Sequence, residues 1–192
     1  AYFGEVAGSG GYYIAQGADR IVANPNNITG SIGVISLFPN VENLLKNKLE
    51  MEVVTIKSGQ FKDSGSFLRK MTSEEREYWQ SMTMMYHERF VEVVAQNRKI
   101  PEDQVAKVAD GRVFHPKTAM AKNLIDQIGH LDTAIHEIER ISKSENQTEW
   151  IRLSQTGVSL PSSAPMVSLN SLPVMDMGLL HGVKFWYLMD YR

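Results

Sequence analysis

The sequence predicts an α/β protein, a layered and largely parallel sheet with flanking helices. Three observations predict it. Short apolar runs alternate with helical ones along residues 1–56, the order that builds parallel layers. Glycine and proline mark the changes of direction at Gly8, Pro25, Gly30 and Pro39. Amphipathic helices with start signals of their own follow after residue 72.

The elements are expected in the following order. Residues 1–7 read as a strand, 8–11 as a turn and 12–18 as a short helix. "DRIVANP", 19–25, reads as a strand stopped by Pro25, and "TGSIGVISL", 29–37, as one entered through Gly30. "PNVENLLKNKL", 39–49, spaces Val41, Leu44, Leu45 and Leu49 as a helix does. "MEVVTI", 51–56, is β-branched and reads as a strand. Residues 57–71 are polar and glycine-rich, too long for an idle connection. Thr72 and Glu75 form a T-x-x-E capping box. A helix to about Arg98 should follow, packed through Trp79, Met82, Met85, Tyr86, Phe90, Val93 and Val94. Met82, Met84 and Met85 read as helix packing rather than as a binding feature. Pro101 opens a short helix, 112–129 reads strand, helix, strand and turn, and 130–143 is a final helix. Residues 1–145 therefore form the expected domain. Residues 146–192 form an arm or tail: one further strand at "TEWIRLS", an extended stretch with three prolines over 156–178, and an apolar end at 179–191. That end would cover a groove, pack on a neighbouring subunit, or lie as a helix on its own domain.

Composition narrows the function classes. A chain of 192 residues suits one domain, or a domain with an appendage. With 43% hydrophobic and 22% charged residues it is typical of a globular protein. A net charge of -2 gives no sign of a nucleic-acid partner or a polybasic membrane surface. The absence of cysteine excludes a disulfide framework, thiolate metal sites and a cysteine nucleophile. No histidine or carboxylate spacing points to a metal, and no cofactor is called for. No run of about 18 apolar residues occurs, as a membrane-spanning helix would need. The opening "AYFGEVAGSGG" reads as a strand already under way, so an N-terminal portion is expected to precede it, with any signal or anchor.

The stretch "VAGSGGYYIA", 6–15, sets one hydroxyl, Ser9, among three glycines at a strand–turn–helix corner. Such a corner exposes the hydroxyl and frees the next N–H for an oxyanion. The pattern is A-x-S-x-G, close to the G-x-S-x-G elbow of serine hydrolases. A purely structural turn remains open on these residues, whereas a phosphate loop lacks its "GKS" or "GKT". A serine nucleophile needs a base. His87, His115, His130, His136 and His181 read as surface or capping residues. Lysine is the other option, provided burial lowers its pKa from the usual value of about 10.4. Lys57 and Lys62 are the candidates in the glycine-rich loop.

Four stretches together resemble the SppA-type signal peptide peptidases, membrane-associated serine proteases with a Ser–Lys dyad. They are "AGSGGYYIA", "ADRIVANPNNITGSIGVI", "IKSGQFKDSGSFLRKMTSEER" and "ADGRVFHPKTAMAKNLIDQIG", in order and at matching spacing over residues 1–140. The resemblance implies a ClpP/crotonase-like fold and these roles: Ser9 as nucleophile, Lys62 of "FKD" as general base, Ser31 of "TGSIG" as the residue holding the lysine amine, and the Gly10 N–H as an oxyanion donor. A second oxyanion donor would come from a glycine pair on an earlier segment that this sequence does not contain. Gly8 stands where the family commonly has alanine, and is expected to loosen the turn. Also implied are apolar peptide substrates such as residual signal peptides, a homo-oligomeric ring with its sites at subunit interfaces, and attachment to a bacterial plasma membrane, or an equivalent compartment, through a segment outside this chain. The competing readings are a non-catalytic scaffold of the same fold and a crotonase-like acyl-CoA enzyme.

Overall fold

The computed structural model describes residues 1–142. Residues 143–192, and with them the expected elements of the 146–192 tail, lie outside the described residues. Two small sheets carry the fold. Strands β1 (Tyr2–Phe3), β3 (Val22–Ala23) and β6 (Gln127–Ile128) form an all-parallel sheet in the order β1-β3-β6. Strands β2 (Val6–Gly8), β4 (Ile28–Gly30) and β5 (Val113–Phe114) form the other; β2 and β4 run parallel, and β5 joins β4 antiparallel. Helices α1 (Gly10–Ala15), α2 (Glu42–Lys48), α3 (Ser73–Arg98), α4 (Glu102–Ala106), α5 (Pro116–Ala121) and α6 (Leu131–Ser142) complete the described chain. The α/β class and its mainly parallel pairing are as the alternating pattern predicts.

The core gathers Phe3, Tyr12, Ile21, Ile32, Phe90, Val94, Val105, Phe114 and Leu124, all buried. Tyr12 is fully buried, and its hydroxyl donates to the Leu124 carbonyl at 2.7 Å. Burial holds that phenol protonated, with its pKa well above the usual range. Removing the hydroxyl leaves a buried carbonyl without its donor, so Tyr12→Phe should cost about 1–2 kcal/mol in urea denaturation. A second tie runs through Asp126. It accepts from the Ile21 N–H at 2.7 Å and from Arg98 at 2.8 and 3.1 Å, joining β3, β6 and the end of α3.

Three expectations change. The first strand is two, β1 and β2, interrupted at Gly4 and Glu5 and divided between the sheets. "TGSIGVISL" forms a continuous strand only as far as Gly30, because Ser31 turns the chain at φ 49°. "MEVVTI" is not a strand, and Val54 and Ile56 are 79% and 96% exposed. Its β-branched residues favour a strand, but strand propensity acts through neighbours. None of the described strands pairs with it.

Helix α3 begins where the capping box predicts. Thr72 Oγ1 accepts from the Glu75 N–H at 3.2 Å, and Glu75 accepts from the Thr72 N–H at 2.9 Å. Its 26 residues make a rod of about 39 Å. The C-terminal half is packed as expected through Phe90 and Val94. The N-terminal half lies outside that core cluster. Met84 and Met85 are 43% and 59% exposed, so these two are not core packing within this protomer, whereas Met82 is half-buried.

Candidate active site

Ser9 lies between β2 and α1 with φ 50° and ψ −115°. A non-glycine residue in such a region costs roughly 1–3 kcal/mol and persists only where the surroundings enforce it. They do so here. The Ser9 N–H donates to the Gly30 carbonyl at 2.8 Å, and the Ser9 carbonyl accepts from the Tyr13 N–H at 2.8 Å. Gly8 pairs with Gly30 in the β2–β4 ladder. A Cβ at position 8 would stand 3.3 Å from Ser31 Cβ. The glycine thus admits the close approach of Ser31, and the turn is tied down rather than loosened. The Ser9 side chain does not cap α1. As the first helical residue, Gly10 has an N–H that α1's own ladder does not use.

Ser31 stands beside this corner. Its N–H donates to the Arg112 carbonyl at 2.9 Å, and the Gly111 N–H donates to the Ile32 carbonyl at 3.1 Å. A Cβ on Gly33 would come 3.1 Å from Gly111 Cα, so the 31–33 and 110–112 segments cross at backbone contact. Asp110 lies at the same crossing, its carboxyl held below the usual range by its hydrogen bonds to Arg112.

Ser9 and Ser31 both line a cavity of about 760 Å³. Its far wall is one face of α3: Arg76, Trp79, Gln80, Thr83, Met84 and His87. These fall at i, i+3, i+4, i+7, i+8 and i+11, so one stripe of the helix faces the serine. Phe38 closes another side and packs against Trp79 with ring centroids 5.2 Å apart and the rings tilted by 47°. Ser36 and Thr83 hydrogen-bond at 2.8 Å and fix the wall. The wall is absent from the expected site. Its signal was the spacing, but the apolar residues of α3 drew the expected face elsewhere, and His87 read as a surface residue.

Lys62 is not at this cavity. It lies in the turns of 59–65, exposed, and its amine has no partner among the described residues. Lys57 is engaged, donating to Asp63 Oδ1 at 2.6 Å and to the Gln60 carbonyl at 3.0 Å. The fold therefore brings Ser9, Gly10 and Ser31 together within one protomer and leaves Lys62 apart from them.

The described chain is thus an α/β domain that holds a strained serine at the start of a helix, beside an open and partly apolar cavity. Residues 1–145 match Peptidase family S49, and the chain belongs to that family. It is of the SppA type, as the four sequence blocks imply. It is 39% identical over 146 residues to the Enterococcus faecium protein named "Putative signal peptide peptidase SppA", a match over 76% of this chain and 42% of that protein. It is 31% identical over 145 residues to Protease 4 of Haemophilus influenzae, covering 76% and 23%. It is 32% identical over 164 residues to "Serine protease SPPA, chloroplastic" of Arabidopsis thaliana, covering 84% and 24%. The chain spans less than half the length of each of these relatives.

Proposed function

We propose that this chain carries the nucleophile of a serine endopeptidase that cuts apolar peptides such as residual signal peptides, by means of a Ser–Lys dyad. The observation that carries the reading is the Ser9 corner: strained backbone, a hydroxyl and a Gly10 N–H with no partner among the described residues, and an open cavity in front. Ser9 Oγ attacks the peptide carbonyl while neutral Lys62 takes its proton. The carbonyl oxygen, now an anion, accepts from the Gly10 N–H. The C–N bond breaks, the lysine returns the proton to the leaving amine, and an acyl-enzyme remains. Water, deprotonated by the same lysine, then releases the acid. Ser31, at the rim of the cavity, would accept or donate a hydrogen bond to hold the amine.

Lys62 comes from a neighbouring subunit in this reading. Its exposure on its own protomer supports that, and so do the exposed Val54, Ile56 and Met85, which a neighbour would cover. An interface also supplies the desolvation that a lysine base needs. A ring of subunits, a ClpP/crotonase-like fold and membrane attachment through another segment belong to the same proposal. Among the described residues no helix is long and apolar enough to cross a membrane.

A fluorophosphonate probe tests the chemistry. Labelling should map to Ser9, vanish in Ser9→Ala, and fall by about 10²–10⁴-fold in Lys62→Ala. Labelling untouched by Lys62→Ala would remove the lysine from the mechanism. No labelling of the assembled protein at all would favour a scaffold.

A further inference from the structure

The fold treats the two lysines of the 57–71 loop in opposite ways. Lys57 is bound to Asp63, while Lys62, the residue immediately before Asp63, keeps an amine without a partner among the described residues. Arg69 shares Asp63 with Lys57. Arg69 Nε and Nη2 donate to the two oxygens of Asp63 at 2.7 and 2.8 Å. Nη1 donates to Glu75 Oε2 at 2.9 Å, Nη2 reaches Glu75 Oε1, and Nη1 also meets the Lys70 carbonyl at 3.0 Å. The Glu75 side chain is only 3% exposed and that of Asp63 14%. Both carboxyls are held well below the usual range, chiefly by these hydrogen bonds.

The other charged groups of the loop and of the elements against it are Lys70, Glu42 of α2, and Glu74 and Arg76 of α3. Glu74 accepts from Gln60 at 2.6 Å, and Glu42 from the Lys70 N–H at 3.0 Å. Every one of these four carboxylates thus has a donor that is not Lys62. The loop itself is pinned around the lysine. Ser64 accepts from Trp79 Nε1 at 2.8 Å, and Phe61 packs against Tyr78 with centroids 5.5 Å apart.

We propose that Arg69 is the positioning residue for Lys62: by occupying Asp63 and Glu75 with both edges of its guanidinium, it keeps their carboxylates from capturing the Lys62 amine. A carboxylate released beside a lysine stabilises the ammonium, the form that cannot act as a base. The arginine fork suits the task because it can satisfy two carboxylates at once, whereas a lysine is a point charge.

The inference rests on Lys62 being the base, and its test separates the two ideas. In the full-length assembled protein, the pH midpoint for acylation of the Lys62 amine by an amine-reactive label is read by mass spectrometry. Arg69→Met should raise that midpoint by about one pH unit. Adding Asp63→Asn to Arg69→Met should bring it back. Arg69→Lys, which keeps a cation but not the fork, should give about half the rise and carries the test if the methionine variant does not fold. A midpoint unchanged or lowered in the arginine variants overturns the proposal, whatever happens to activity. The acidic limb of the pH–rate profile should follow the amine midpoint, costing about tenfold at pH 7 and little at pH 10. A midpoint that moves while the limb stays fixed upholds the role of Arg69 and removes Lys62 as the base.

Discussion

Co-expressing Ser9→Ala chains with Lys62→Ala chains should restore about a quarter of wild-type probe labelling, although each variant alone is inert. The figure follows from random assembly. If each site joins Ser9 of one subunit to Lys62 of its neighbour, half of the subunits keep the serine and half of their neighbours keep the lysine. A site built within one chain could never be restored this way, because neither variant carries both groups. The single-protomer geometry leads to this expectation. Ser9 opens onto a cavity whose walls come from the 31–38 segment after β4, the 109–111 turn and α3. Lys62 contributes nothing to that wall, and its loop is braced against the first turns of α3. Loss of labelling in each single variant should be on the order of 10²-fold or more. Single variants that fail and mixtures that stay inert would show that the dyad is not shared between subunits.

Gly30→Ala should damage both stability and labelling, through a residue that touches no substrate. Gly30 has φ +83°, which an L side chain rarely adopts. A Cβ there would stand 2.6 Å from Phe114 Cδ2 and 3.3 Å from the Arg112 carbonyl. Phe114 is itself buried in the core, so it cannot simply swing away. Backbone strain and overpacking together should cost about 2–4 kcal/mol, read as a shift in the urea midpoint. The Gly30 carbonyl is also the acceptor that holds the Ser9 N–H. The surviving folded protein should therefore label more slowly than its folded fraction explains. Gly4→Ala is the control: a Cβ there meets nothing within 4 Å, and the change should stay within about 0.5 kcal/mol. Equal effects at the two positions would contradict this account of the corner.

The residues that were readable in the sequence are those whose partners are close along the chain. The capping box of Thr72 and Glu75 needs only residues three apart, and α3 starts there. The Ser9 corner is likewise local, a few glycines between a strand and a helix. "MEVVTI" shows the limit, since a strand exists only when another strand pairs with it. The α3 face toward Ser9 shows it again. Trp79, Thr83 and His87 are four residues apart, but only the packing of α3 against 31–38 decides that this stripe lines the cavity. Asp63, Arg69 and Glu75 are each six residues apart, and no regular element makes such residues meet. Their junction forms because the 57–71 loop folds back on α3.

By itself the sequence determined the α/β class, the helix starts, the serine corner and the family, because these depend on local chemistry and on the order of short motifs. Only the tertiary structure decided which carboxylates face Arg69, which stripe of α3 faces Ser9, and that Lys62 stands apart from the serine of its own chain. Those are contacts between distant segments, and side-chain packing, not local propensity, selects among them.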